Sequence, residues 1–142
     1  MSELKLHPNA AASLSQWHAM ISKGDLQALP ELLDPQAVFR SPMAHTPYPG
    51  AAVVSKILNT VIEVFEDFVY HRELASADGL SVVLEFSANV SGKALKGIDM
   101  IRFNEHGKIV EFEVMVRPLS GLQALGEQMG QRLGAYLAAS KA

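Results

Sequence analysis

Beyond Phe68 the apolar residues give up helical spacing and alternate with period two through four segments. The three breaks between them fall at turn sequences: Asp78-Gly79, Ser91-Gly92 and Asn104-Glu105-His106-Gly107. Connections this short join only antiparallel neighbours, so this half of the chain specifies a four-stranded antiparallel meander. Upstream the pattern is helical. Leu14, Trp17, His18 and Ile21 share one stripe between Asn9 and Lys23, and Gly24 offers a stop. Asp25 can cap a second, shorter helix through Leu33, with Pro30 perturbing its first turn. Ala37 to Ser41 reads as a short strand, and SPMAHTPYPG as a loop. Val54, Ile57, Leu58, Val61 and Phe65 define a third helix over Ala51–Glu66. After Pro118 a last helix is expected over about 119–139, with Ser120 and Gln123 at capping-box spacing and Leu122, Leu125, Met129, Leu133 and Tyr136 on one side. The order ααβαββββα, helices segregated from an antiparallel sheet, is an α+β arrangement in one domain spanning 1–142.

Composition narrows the function classes. With 49% hydrophobic and 19% charged residues the chain can build a core and lies outside the disordered class. No apolar run approaches the ~18 residues of a membrane span. A net charge of -3 with no basic cluster removes the electrostatic footprint of nucleic-acid binding. The absence of cysteine excludes disulfides, thiolate metal sites and a cysteine nucleophile. The segment MSELKLHPNAAASLSQWHAMIS has no apolar signal region, so a cytoplasmic location is expected. Aromatic residues make up only 7% beside a surplus of aliphatic ones, and the faces of the strands show where that surplus goes.

Alternate side chains of a strand point to opposite faces. From Ser81 to Ser91, Val82, Leu84, Phe86, Ala88 and Val90 share one face, and Val83, Glu85, Ser87 and Asn89 the other. In the last strand Phe112, Val114 and Val116 alternate with Glu111, Glu113, Met115 and Arg117. Between them, Leu95, Gly97, Asp99, Ile101 and Phe103 share the apolar side, which puts one carboxyl group among apolar neighbours. Desolvation there favours the neutral acid, a hydrogen-bond donor able to stabilise charge on a carbonyl oxygen. The alternative is a structural Asp99, paired with Arg40 or with a backbone amide beside Gly97.

The segment ALKGIDMIRFNEHGKIVEFEVMV, Ala94 to Val116, resembles the last two strands of the Δ5-3-ketosteroid isomerase family, and GDLQALPELLDPQAVFRSP, Gly24 to Pro42, is similar to that family's second helix and first strand. The resemblance covers roughly Asn9 to Pro118. It implies the nuclear-transport-factor-two-like superfamily, with SnoaL-like polyketide cyclases as relatives and a curved sheet wrapped against helices into a cone with an apolar pocket. It also implies that Asp99 is the protonated acid of the oxyanion hole. The family's tyrosine donor falls on Trp17 and its general base, an aspartate, on Ser41, and a serine cannot shuttle a proton in that way. Phe39, Phe86, Ile101, Phe112, Val114 and Val116 are expected to line the pocket with Trp17 and Ser41.

A base must then come from elsewhere. His45, in the loop, and His71, on the first meander strand, are the candidates. His18 reads as a core or boundary histidine. The histidines have no metal-site spacing, and no metal or other cofactor is expected. Ile98, Met100, Val83 and Met115 interrupt the polar sheet face, which in this superfamily commonly pairs two subunits, so a homodimer is expected. Two readings follow: a cofactor-free proton-transfer enzyme of isomerase, cyclase or dehydratase type on a small apolar, oxygen-bearing molecule, or a non-catalytic module binding such a ligand or a partner segment. They differ in whether a base lies within reach of a ligand held against Asp99.

Overall fold

The computed structural model describes residues 5–140, so the two ends of the expected 1–142 domain lie outside the described residues. Helix α1 runs over Pro8–Lys23 and ends at Gly24, whose φ of 67° supplies the left-handed cap that the sequence implied. The expected second helix is a single 3-10 turn, Leu29–Leu32, because β1 begins at Leu33, earlier than expected, and runs to Arg40. Asp25 closes a turn onto the Gln27 amide rather than capping a helix. Within the proline-rich loop a two-residue strand, β2 (Tyr48–Pro49), pairs with Val38 and Phe39. Helix α2 spans Ala51–Val64, two residues shorter than expected. The meander follows as β3 (Glu66–Ala75), β4 (Ser81–Val90), β5 (Lys93–Phe103) and β6 (Ile109–Arg117), and α3 (Leu119–Ser140) closes the chain. Ser120 already lies inside α3, so the capping box does not form; the Pro118 carbonyl instead accepts from the Leu122 amide.

The six strands form one curved sheet, open at both edges, in the order β2-β1-β6-β5-β4-β3. All pairs are antiparallel except β1 with β6, which makes the sheet mixed. The predicted faces of β4, β5 and β6 are observed: Val82, Leu84, Phe86, Ile101, Phe103 and Phe112 are fully buried beneath the helices. On the opposite face Glu85 is clamped by Arg72 at 2.8 Å and Lys96 at 3.0 Å, the hydrogen bonds that hold its carboxyl well below the ordinary carboxylate range. Val69, Leu74 and Met115 stand exposed on that face.

Strand β3 departs from simple alternation twice. Between Glu66 and Val69, and again between Tyr70 and Glu73, it advances three residues while β4 advances two. Each step is a bulge with one extra residue, and each resets which side chains face inward. The second leaves His71 and Arg72 facing outward, to Ser87 and Glu85, and turns Glu73 to the side of Leu84 and Tyr70 to that of Phe86.

Candidate functional site

A cavity of about 620 Å³ lies between the inner sheet face and the helices. Its walls are mainly apolar: Ile21 from α1, Ile57, Leu58 and Val61 from α2, Phe39, Phe112 and Val114 from the sheet, and Leu125 and Met129 from α3. Asp99 reaches this space from β5, flanked across the sheet by Leu84 and Val114. Leu84 is fully buried and Asp99 itself only 6% exposed. Burial pushes its carboxyl up to about 7, against the opposing pull of one hydrogen bond from Tyr70.

That bond is short, with the Tyr70 hydroxyl donating to Asp99 Oδ2 at 2.6 Å, while Trp17 Nε1 donates to the Tyr70 oxygen at 3.0 Å. The three side chains form a relay from helix to sheet in which the phenol both accepts and donates. Burial first, and then the Asp99 charge, raise the Tyr70 phenol well above its usual value, so it stays a donor at neutral pH. Its ring is fixed edge-on by Phe68, which stacks on Phe86. Phe86 in turn lies over Gly97, where a Cβ would come within 2.7 Å of the ring. The glycine two residues before the acid therefore lets the aromatic row seat itself. Arg40 takes no part, since it pairs with Glu111.

The expected site residues divide. Trp17, Phe39, Ser41, Phe112 and Val114 line the cavity with Asp99. Phe86, Ile101 and Val116 do not: the first two are packed into the core beneath the sheet, and Val116 lies towards the end of β6, outside the cavity wall. Ser41 accepts from the Met43 amide, an arrangement of its own turn. His45 is exposed on the loop and outside the cavity. His71 is exposed and hydrogen-bonds Ser87 on the solvent face, where the bulge has turned it. Neither is placed to act on a molecule against Asp99. Two residues were missed. Tyr70 supplies the phenol beside the acid, from a different element than Trp17, and Glu73 bonds His18, which lies at the boundary, one of the two places expected for it, and lines the cavity. The bulges hid both, since no alternation ran through them. Among the described residues no group of three or more His, Asp or Glu is placed to hold a metal ion, and no helix is long and apolar enough to cross a membrane.

Three helices packed on a curved six-stranded mixed sheet place the chain in the nuclear-transport-factor-two-like, cystatin-like class of α+β folds. The SnoaL-like domain family matches residues 14–112, and the chain belongs to that family. A steroid delta-isomerase from Pseudomonas aeruginosa is 70% identical and superposes with a TM-score of 0.92, over 96% of this chain and 99% of that one. A cystatin-like-fold protein conserved in bacteria, from Silicibacter pomeroyi, is 29% identical with a TM-score of 0.82, over 95% and 93% of the two chains. SalBIII, an epoxide hydrolase/cyclase-like enzyme in pyran ring formation in salinomycin, shares the fold at 17% identity and a TM-score of 0.64, over 80% of this chain and 94% of that one. No curated protein matches the chain.

Proposed function

We propose that the chain is a cofactor-free, isomerase-type enzyme that binds an apolar molecule through a carbonyl oxygen at Asp99 and moves a proton on it. The observation that carries this reading is a carboxyl buried to 6% exposure in the wall of an apolar cavity, where desolvation pushes it up to about 7. A neutral acid there donates to an oxygen and stabilises the charge that develops on it when a neighbouring C–H bond ionises; one such donor is worth ~10²–10³ in rate. The isomerase relative at 70% identity supports the reaction type. Ser41, at the position that the family resemblance gives to the base, argues for a carbon acid other than the ketosteroid. Ligand binding without chemistry is the second reading, favoured by the placement of His45 and His71 outside the cavity.

Binding of 2-naphthol, a bicyclic phenol whose oxygen imitates that of an enolate, tests the role of Asp99. Asp99→Leu is expected to weaken binding about 10- to 100-fold, the scale of a hydrogen bond to a charged group. Equal affinity in the variant overturns the reading.

A further inference from the structure

We propose that His18, oriented by Glu73, is the general base of this site, an assignment that rests on the function proposed above. His18 follows Trp17 on α1, so the two side chains leave the helix about 100° apart. Both meet Tyr70. Trp17 reaches its hydroxyl, and the His18 ring stands edge-on to its ring, with centroids 5.3 Å apart at 84°. Tyr70 in turn donates to Asp99. Base and acid thus flank one tyrosine and both line the cavity, the arrangement needed to hold a carbonyl oxygen at one group and present the adjacent carbon to the other.

Glu73 supplies the orientation. Its Oε1 lies 3.2 Å from His18 Nε2. A hydrogen on Nε2, donated to that carboxylate, leaves the lone pair on Nδ1. The pairing exists because of the second bulge in β3, which places Glu73 opposite Leu84 on the inner side of the sheet. Without the extra residue, Glu73 would face outward with Val69. The His18 side chain is 32% exposed and that of Glu73 34%, so the pair stands at the cavity rim, within reach of solutes. As a mere surface ion pair it contributes little to stability.

In the step assigned here, Nδ1 of His18 takes a proton from the carbon beside the carbonyl. The C–H electron pair becomes the C=C bond of an enolate, and the carbonyl π pair moves to the oxygen hydrogen-bonded by Asp99. Where the substrate carries a β,γ C=C bond the enolate is a conjugated dienolate; return of the proton from His18 to its γ-carbon shifts the double bond into conjugation and re-forms the carbonyl, with no oxidant or reductant consumed. In a saturated ketone, return to the same carbon gives exchange alone.

Deuterium exchange into 2-tetralone, an apolar bicyclic ketone, in D2O tests the assignment, with binding of the ketone measured in parallel. His18→Ala and His18→Gln are expected to lower protein-catalysed exchange about 100-fold or more while ketone affinity changes less than about threefold, the split of a group acting in the transition state. Added imidazole is expected to restore exchange to His18→Ala, and Glu73→Gln to lower exchange less than His18→Ala, again at unchanged affinity. If wild type binds and exchanges the ketone and His18→Ala does so equally, the base assignment falls and the role of Asp99 stands. If Asp99→Leu binds and exchanges the ketone as wild type does, the reading on which the assignment rests falls instead.

Discussion

At the scale of single residues, Asp99 is a carboxyl group whose surroundings decide its charge. Leu84 and Val114 flank it and one phenol reaches it, so the neutral form is favoured up to about pH 7, against an ordinary value of 3.8. Folding therefore takes up a proton between these values, and stability falls as pH rises from about 4 to about 7, then levels. Each pKa unit is worth about 1.4 kcal/mol, so ionising Asp99 in place costs on the order of 4 kcal/mol. Asp99→Asn keeps an acceptor for Tyr70 and removes the charge. It is expected to be more stable than wild type at pH 8 by a few kcal/mol, on the order of that cost, and to lose most of this advantage near pH 4. Urea unfolding at the two pH values measures the difference, and an advantage that does not vary with pH would contradict the assigned titration.

At the scale of elements, the site depends on how β3, β4 and β5 fit together. Phe86 crosses over Gly97, where a Cβ would lie 2.4 Å from the Met115 carbonyl as well as against the Phe86 ring. The carbonyl belongs to the sheet and cannot move aside, so Gly97→Ala is expected to destabilise the protein by about 1–3 kcal/mol, the usual cost of overpacking. Thermal unfolding checks this; an unchanged melting temperature would show that the sheet yields there. The same strands explain what could be read in the sequence. Unbroken alternation in β4, β5 and β6 identifies their inner faces and singles out Asp99 from the sequence alone. The two bulges of β3 cancelled that signal, and with it Tyr70 and Glu73. Strand β1 begins four residues before the expected Ala37, at Leu33, which helical spacing assigned to the second helix; Pro35 sits in the irregular stretch between Leu33 and Val38, where the pairing with β6 lapses. The parallel pairing of β1 with β6 joins segments far apart in the chain, a relation that local periodicity does not carry.

At the scale of the whole molecule, the environment of Asp99 is assembled from every layer. Helix α1 brings Trp17 and His18, the sheet brings Tyr70, Phe112 and Val114, and α3 lies across the cavity with Leu125, Met129 and Leu137. Tyr136, expected on the inward stripe of α3, is 39% exposed, and Leu137 takes the place at the cavity wall. Gly126 on the same helix leaves room for Met43 from the loop, so α3 and the loop meet beside the cavity. The carboxyl of Asp99 therefore reports on the complete assembly, since desolvation by all these parts is the main cause of its shift. The most direct measurement is the pH titration of its side-chain carboxyl carbon by NMR in aspartate-labelled protein, with the signal assigned by its loss in Asp99→Asn. The expected midpoint is about 7. A midpoint near ~4, the value of a solvated aspartate, would contradict the account.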